Sequence, residues 1–410
     1  MDKVYDDCCG IDVHKKLIVA CRKCGKKQEL REFGTTTREL FAMVDWLEGC
    51  QRVAMESTGS YWKPVYNILE SSGVAAMIVN ARHMKAVPGR KTDVKDAEWI
   101  ADLLQHGLLK ASYIPDKAQR ELRELVSYRK SLVGERTREL NRLQKMLEGA
   151  NIKLSGTVAE INGKSARAIL EHIVEGKDFD ERTYDIMYAK KVIAHNLKAS
   201  KDAIIDDLNG VLSELQRHML RELLNHLDEL NIHISNLDIE IDNFMKPEEK
   251  AGSEAIQEIP GIGNASAQAI ISVIGTDMSR FPTEGHLCAW AGVTPGNNES
   301  AGKRKSGKTR KGNSLLRSTL VVCAHAAVKN TQTFFYSRFM RICAHRGKKK
   351  AYVAIAHSIL IAIYHILKDG VGFRELGADY YNQFNRERKI NGYLKKLKAL
   401  GWEPQLAAAV

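Results

Sequence analysis

Residues 1–115 predict an α/β domain with a mixed β-sheet flanked by helices. The stretch YDDCCGIDVHKKLIVACRK holds two apolar runs that are broken at HKK, which is typical of a β-hairpin. Further along, continuous apolar segments alternate with segments whose apolar residues recur at helical spacing. Sequential strands followed by alternating β and α units indicate a mixed sheet with helices packed against it.

The elements of this domain are expected in the order three strands, helix, strand, helix, strand, helix. ELREFGT predicts the third strand, and TRELFAMVDWLEGC predicts the first helix. RVAMEST predicts the fourth strand, and YWKPVYNILESSG predicts a helix that ends near Gly73. VAAMIVN is a continuous apolar run, as expected of a buried strand, and KTDVKDAEWIADLL predicts the third helix.

Four carboxylates occupy informative positions in this domain. Asp12 lies in the middle of the strand GIDVH, Glu56 ends the strand VAMES, and Asp93 and Asp96 begin the third helix one turn apart. A charge inside an apolar strand is costly unless it is paired or binds a cation. Carboxylates gathered from separate elements are suitable ligands for Mg²⁺, and two such ions can stabilise a phosphodiester under attack. The alternative is that each carboxylate is a helix cap or a surface charge.

Residues 116–250 predict a helical section. Apolar residues advance by threes and fours from Ile205 to Phe244, which forms a heptad-like seam. A long antiparallel hairpin within one chain and a coiled coil between chains both fit this pattern, and we expect a homo-oligomer, a dimer or a tetramer. The segment FMKPEEKAGSE, residues 244–254, predicts a linker to a mostly α-helical C-terminal domain at 251–410.

Charge and composition limit the class of partner. The chain has 410 residues and a net charge of +12, an excess that suggests a polyanionic partner, nucleic acid first. No signal-peptide pattern and no apolar run of about eighteen residues is present, so we expect a cytoplasmic protein without a membrane span. The eight scattered cysteines do not resemble a disulfide framework. Cys21 and Cys24 form a lone C-x-x-C, for which a strand or turn with reduced thiols is favoured over a zinc site.

Two features of the C-terminal part indicate contact with nucleic acid. In EIPGIGNASAQAIISVIG, Gly261 and Gly263 precede an apolar helix, and such a G-x-G turn can offer N–H groups to a phosphate. A plain tight turn is the alternative. Residues 300–368 contain 15 Lys and Arg but no Asp or Glu, which predicts a folded nucleic-acid-binding surface. The candidate contacts in its densest part are Lys303, Arg304, Lys305, Lys308, Arg310, Lys311 and Arg317.

These residues carry a resemblance to a known family. GIDVHK, MESTGSYW and KTDVKDAEWIADLL resemble the three N-terminal motifs of the DEDD transposases of insertion-sequence family one-ten. IPGIG, FPTEGHLCAWAGVTPGNNESAGK and RKGNSLLR are similar to the C-terminal transposase domain of that family. The six motifs occur in the family's order and cover both ends of the chain.

The resemblance implies a RuvC-like RNase H fold for the N-terminal domain, with Asp12, Glu56, Asp93 and Asp96 at the positions of the family's carboxylates. It also implies a transposase that cuts and rejoins DNA through a serine nucleophile, with a phosphoserine intermediate. That serine matches Ser300, although Glu299 replaces the first serine of the family's usual Ser-Ser-Gly-Gly-Lys pattern. Members of the family are guided by a structured RNA from their own element. They act as assemblies in which subunits share active sites.

Two other classes of function remain open on the sequence. One is a metal-dependent junction nuclease that cuts branched DNA with water and forms no covalent adduct. The other is a non-enzymatic protein that binds DNA or RNA with a decayed carboxylate site, although the presence of all four carboxylates argues against decay. For Ser300 itself, the alternative is a loop serine that only touches a backbone phosphate, and Ser306 and Ser314 are weaker candidates for the nucleophile.

Overall fold

The structure is a computed structural model. It describes residues 3–57, 59–79, 95–158, 160–161, 163–193, 200–296, 298–300, 303–383 and 386–402, and for residues 95, 298–300, 303–306, 382–383 and 388–389 it describes the backbone. The chain divides into two compact units, Met1–Asp116 and Lys117–Val410.

The first unit is built on a five-stranded mixed sheet, as predicted. Its strands are β1 (Asp7–Val13), β2 (Leu17–Cys24), β3 (Lys27–Gly34), β4 (Arg52–Glu56) and β5 (Ala76–Val79). They lie in the order β3-β2-β1-β4-β5. The first three strands pair antiparallel, and β4 and β5 extend the sheet in parallel.

Helices cover both faces of this sheet. They are α1 (Thr37–Trp46), α2 (Trp62–Ser71) and α3 (Lys95–Gln105). Because side chains alternate along a strand, Ile11 and Met55 pack with α1 and α2 on one face, whereas Cys8 and Ala54 pack with α3 on the other. The predicted order of strands and helices in this unit is therefore confirmed.

Gly10 allows α3 to lie directly on the sheet. A Cβ atom at Gly10 would stand 2.3 Å from the carbonyl oxygen of Ala97 and 2.4 Å from the amide nitrogen of Ala101. No side chain fits into that space, so the helix backbone touches the strand backbone there. This contact sets the start of α3 beside the middle of β1.

The second unit is mostly helical. Its helices are α4 (Lys117–Gly149), α5 (Leu154–Thr157), α6 (Lys164–Val174), α7 (Glu181–Ala189), α8 (Lys201–Leu208), α9 (Glu214–Phe244), α10 (Pro247–Ile256), α11 (Asn264–Ile274), α12 (Glu284–Ala291), α13 (Ser314–Ala327), α14 (Phe334–Arg346), α15 (Lys348–Asp369), α16 (Tyr380–Gln383) and α17 (Arg386–Ala399). A single 3₁₀ turn, Met278–Arg280, lies between α11 and α12.

The helices α4 and α9 form an antiparallel pair within the chain. Leu122 near the start of α4 lies in one core with Ile241 near the end of α9, and Leu143 lies in another core with Leu220. Arg129 of α4 donates to the carboxylate of Asp238 between these levels. Of the two arrangements that fitted the seam, the hairpin within one chain is therefore present, although the pattern did not predict every boundary correctly.

Two expectations about this region were wrong. The seam expected to run unbroken from Ile205 is interrupted, because α8 ends at Leu208 and α9 starts only after the capping box at Ser213. Leu215 and Met219, which were expected on the buried stripe, are exposed. The buried stripe of α9 instead consists of Leu220, Leu224, Leu227, Leu230, Ile234 and Ile241.

The expected linker at 244–254 is mostly helix. Pro247 occupies the first turn of α10, and the Glu249 side chain accepts a hydrogen bond from the backbone N–H of Lys246 at 2.9 Å. Met245 and Ile256 are buried in the C-terminal core. The polar composition that suggested a linker instead covers one face of a packed helix.

Among the residues that the structure describes, one helix, α15, is long and apolar enough to cross a membrane by length and composition. Core helices pass the same test, and Ile355, Ile359 and Ile363 of α15 are fully buried among the other C-terminal helices. The apolar character of α15 is therefore accounted for by the core of this unit.

Candidate catalytic residues and nucleic-acid interface

Asp12 and Glu56 lie on the same face of neighbouring parallel strands. The register pairs Ile11 of β1 with Met55 of β4, so Asp12 and Glu56 are the next residues along each strand. Strands in a sheet are about 4.8 Å apart, and alternation places both residues on the face that α3 covers. Asp12, expected in the middle of its strand, is the next-to-last residue of β1, and Glu56 is the last residue of β4.

Asp12 is buried at an energetic cost. Only 7% of the residue is exposed, and its Oδ2 atom lies 3.0 Å from Nε2 of His14. Burial raises the pKa of the Asp12 carboxyl, the neighbouring His14 lowers it, and the negative charge of Asp96 raises it again. The carboxylate therefore has one cationic neighbour when His14 is protonated, and a second carboxylate acts on it from α3.

Asp96 stands in the first turn of α3, next to the residue whose carbonyl oxygen packs over Gly10. Asp93 lies outside the described residues. Within the described part of the chain, no three His, Cys, Asp or Glu side chains form a group that could hold one metal ion. The structure thus brings Asp12 and Asp96 within electrostatic range and sets Glu56 on their face, while the full four-carboxylate site stays a prediction.

Ser300 is at the tip of a β-hairpin. The strands β6 (Asn298–Ser300) and β7 (Lys303–Ser306) pair antiparallel, and Ser300 pairs with Lys303. Below them, the amide of Gly296 donates to the carbonyl of Lys308 at 3.0 Å. A short ladder therefore holds Ser300 as the last residue of β6, paired with the first residue of β7.

The base of this hairpin is held by two glycines. Gly292 ends α12 at φ +73°, a left-handed conformation that favours glycine, and a Cβ there would lie 2.6 Å from the amide nitrogen of Gly312. A Cβ at Gly312 would lie 2.2 Å from the carbonyl oxygen of Ala291. The two chain segments that enter and leave the hairpin therefore cross at backbone contact.

The predicted cationic residues surround this hairpin. Lys303, Arg304 and Lys305 lie on β7, and Lys308, Arg310 and Lys311 follow on exposed chain. Arg317, in the first turns of α13, is half-buried and donates to Thr309 Oγ1 at 2.9 Å. The hairpin and its approach thus carry a concentrated positive charge.

Gly261 and Gly263 have different environments. Gly261 has φ +90°, and a Cβ there would lie 2.5 Å from both the amide nitrogen of Ala327 and the carbonyl oxygen of Cys323. Its glycine is required by close packing against α13, which accounts for this position without a ligand. Gly263 caps α11 and is exposed, and a Cβ there would meet no described atom within 4 Å, so the helix start is accessible to a phosphate.

The comparisons with known proteins agree with this arrangement. Residues 9–152 match a family model described as a transposase of the DEDD type of IS110, and residues 253–337 match one described as the transposase IS116/IS110/IS902 family. Together the two matches cover more than half of the chain. The chain belongs to the IS110/IS116 family of transposases. It is therefore a DNA transposase of an insertion sequence.

Individual relatives are distant but extensive. The transposase is 22% identical to the uncharacterized 43.6 kDa protein of insertion element IS110 from Streptomyces coelicolor, over 69% of this chain and 72% of the relative. It is 23% identical to y4pF/y4sB of Sinorhizobium fredii, which is described as a candidate transposase, over 79% of this chain and 74% of that relative. The uncharacterized 44.8 kDa protein of IS116 from Streptomyces clavuligerus is 24% identical to the transposase over 54% of this chain and 60% of that relative.

Other residues of the transposase have roles that the sequence did not predict. His14 is the first residue after β1, and its imidazole lies 3.0 Å from the carboxylate of Asp12, two residues earlier in the chain, a spacing that could have drawn attention to it. Cys21 is buried in β2 whereas Cys24 is exposed at its end, and no metal-binding group includes them among the described residues. The favoured interpretation of the pair as strand cysteines agrees with this placement.

Proposed function

We propose that the transposase cuts and rejoins DNA through a phosphoserine intermediate formed at Ser300, with a Mg²⁺ site held by Asp12, Glu56, Asp93 and Asp96. The observation that carries the proposal is the register of β1 and β4, which sets Asp12 and Glu56 side by side under the start of α3. This unit would then have the RuvC-like RNase H fold that its motifs resemble.

The donor chemistry at this site suits a hard cation. Asp12 is a desolvated carboxylate whose pKa is raised by burial, and Asp96 adds to its negative surroundings. A bound cation would compensate both effects, because hard oxygen ligands are what Mg²⁺ prefers. Bound there, Mg²⁺ would supply charge neutralisation for the phosphate under attack and for the leaving oxygen.

Ser300 is the proposed nucleophile that attacks a backbone phosphate. A serine hydroxyl is a weak nucleophile until its proton is removed or the developing charge is neutralised. Ser300 ends β6, and Lys303, Arg304 and Lys305 on the paired strand would supply positive charge for a bound phosphate. The side chains that bind the phosphate and the one that attacks it would therefore belong to one small hairpin.

The guide and the assembly follow from the family resemblance. We propose that the transposase binds its element ends and target DNA together with a structured guide RNA, and that it acts in the cytoplasm as a homo-oligomer. The net charge of +12 supports a polyanionic partner. Sequencing the RNA that copurifies with the transposase tests the guide directly: an RNA copied from the element's own non-coding flank is expected, and a random population would contradict it.

The test of the serine is a trapping experiment. The purified transposase with its copurified RNA, incubated with Mg²⁺ and a nicked suicide substrate carrying the element end, should form a covalent protein–DNA adduct that maps to Ser300. Ser300→Ala should remove the adduct while DNA binding is retained, and Ser306→Ala and Ser314→Ala serve as matched controls that keep it. Cleavage by water without any adduct would overturn the serine mechanism and favour the junction nuclease instead.

A further inference from the structure

A cavity of about 480 Å³ opens beside the foot of the hairpin, and we call it the basic cavity. Its volume falls in the range of sites that hold small ligands, roughly 300–1,000 Å³. Five of its lining side chains are Lys or Arg, and a sixth is histidine: Lys308, Arg317, Arg338, Lys349, Lys350 and His357. No acidic side chain is among its described lining residues, and none exists anywhere in residues 300–368.

The cationic residues of the basic cavity differ in burial. Arg317, Arg338 and His357 are half-buried, and they come from three different helices, α13, α14 and α15. Lys308, Lys349 and Lys350 are exposed. Three separate helices therefore converge their cationic groups on one space, which a run of charge along a single solvated helix face would not do.

Arg338 is the group with an unmet requirement. Its Nε atom is buried and has no hydrogen-bond partner among the described residues. Its guanidinium stands 5.9 Å from the ring centre of Phe334, which fixes the side chain without satisfying that donor. A buried N–H without an acceptor is costly. Arg338 lines the basic cavity and also a second cavity that Phe334 lines, so its guanidinium is shared by the two spaces.

The pKa of His357 reflects the buried, positively charged surroundings of the basic cavity. Its pKa is lowered, first by burial and then by the positive charge of Arg338. The remaining wall beside it is apolar, made by Val293, Val353 and Ala354. A ligand that complements all of these features has a negatively charged group with several acceptor oxygens and a less polar part attached to it.

We propose that the basic cavity binds one phosphate group of a DNA strand, with Arg338 as its principal ligand and the apolar wall against the attached sugar. The planar guanidinium matches phosphate oxygens in pairs, and the lysines at the opening supply further positive charge. This inference deepens the proposed function and rests on it for the choice of DNA.

The position of the basic cavity agrees with a DNA strand that runs to the serine. Pro295 and Thr309 line the cavity and form the antiparallel bridge below the hairpin. Ser300 is five residues beyond Pro295, at most about 17 Å at roughly 3.3 Å per residue. A B-form strand advances 3.4 Å per nucleotide, so a phosphate held in the cavity would lie within about five nucleotides of the attacked position.

The experiment uses the full-length transposase and two readouts. The first is the NMR titration of the His357 ring, assigned with His357→Gln, in the presence of inorganic phosphate and then of a short single-stranded DNA. Occupancy should raise the pKa of His357, because an anion between His357 and Arg338 stabilises the imidazolium. An unchanged His357 titration at saturating DNA would overturn the proposal.

The second readout is DNA affinity in matched variants. Arg338→Gln should weaken binding of the short DNA about ten- to a hundredfold, as expected for loss of a charged hydrogen bond. Lys145→Gln removes the same charge from an exposed position of α4, outside the cavity and outside residues 300–368, and should change affinity less than about twofold. Should Arg338→Gln fail to fold, Arg338→Lys and Lys349→Gln provide the comparison, and equal losses in cavity and control variants would refute the cavity.

Three further outcomes test the source of the phosphate and separate the cavity from the proposed function. A response to RNA of the same sequence equal to that for DNA would overturn DNA as the source of the phosphate. A His357 response without any Ser300 adduct on the suicide substrate would leave the cavity standing and refute the serine chemistry. An adduct without a His357 response would support the serine chemistry and refute the cavity as a phosphate site.

Discussion

The Oδ2 atom of Asp12 lies 3.0 Å from Nε2 of His14, and the negative charge of Asp96 acts on Asp12 against the effect of His14. Asp12 is thus buried between an exposed imidazole and a second acid. Because burial and Asp96 both raise its pKa, an ionised Asp12 opposes folding at neutral pH unless a cation is bound. The residue is placed for ligand binding at the expense of stability.

Asp12→Asn should therefore stabilise the metal-free transposase and abolish strand transfer. For a carboxyl whose folded pKa is raised, the stabilisation is present below the unfolded pKa and is lost as pH rises through the folded one, so the neutral amide restores it at pH 7. Melting temperatures with EDTA and with Mg²⁺ measure the effect: Mg²⁺ should stabilise the wild type and leave the variant unchanged. Equal stabilisation of both proteins by Mg²⁺ would contradict a role for Asp12 as ligand.

Gly10→Ala should destabilise the first unit by about 1–3 kcal/mol, the usual cost of overpacking. The added methyl would meet the backbone of α3 at 2.3 Å and 2.4 Å, and a backbone cannot rotate away as a side chain can. Displacement of α3 would also move Asp96 away from Asp12. Chemical denaturation measures the stability.

Gly134→Ala is the matched control for that substitution. It places the same methyl in the middle of α4, where only the flexible Arg138 side chain lies within 4 Å, at 3.7 Å. It should stabilise the second unit by about 0.5–1 kcal/mol, because alanine favours a helix over glycine. A Gly10→Ala protein as stable as the wild type would show that α3 does not lie against β1 as described.

The first unit was predictable because its elements are short and their apolar patterns change from one element to the next. The helix break before α9 was not. Gly210 allows the chain to pass within backbone distance of the end of α4, since a Cβ there would lie 2.2 Å from the carbonyl oxygen of Ala150. Leu208 and Leu212 are buried on either side of this break, so the apolar spacing continues although the helix does not.

In the candidate site, too, some features could be predicted from the sequence and others could not. Asp12 and Glu56 could be predicted because a charged residue inside or at the end of an apolar strand is conspicuous. The basic cavity could not, because Arg317, Arg338 and His357 are brought together only by the packing of three helices. Sequence showed the absence of acids in that region, but the convergence of the cations required the tertiary structure.

DNA affinity should fall steeply with salt concentration. Each phosphate contact contributes a slope of about −0.9 in a plot of log affinity against log salt for duplex DNA. Neutralising Lys303, Arg304 and Lys305 together should reduce the slope by up to about three units. Fluorescence anisotropy at several salt concentrations measures this, and a salt-independent wild-type affinity would contradict the whole basic surface.

Self-association should depend on the solvent-facing side of α9. Ile232 and Ile239 are 59% and 62% exposed, and their seven-residue spacing places them on one face of the helix. Exposed isoleucines at heptad spacing next to a helical pair are suited to burial against a second copy, where each would contribute about 1.5–3 kcal/mol if fully buried. We therefore expect the transposase to be at least a dimer and the double variant Ile232→Glu, Ile239→Glu to dissociate it.

Sedimentation velocity over a range of protein concentrations, with and without nucleic acid, measures the association. The control is Leu215→Glu, which adds the same charge to another exposed position of α9, at a different angle around the helix. It should leave the oligomer intact if the Ile232–Ile239 face is the contact. A wild-type protein that is a monomer under all conditions would refute the oligomer. Dissociation by Leu215→Glu but not by the double variant would show that the contact is made by the face of α9 that carries Leu215, because a residue on a solvated side cannot disrupt an interface that it does not touch.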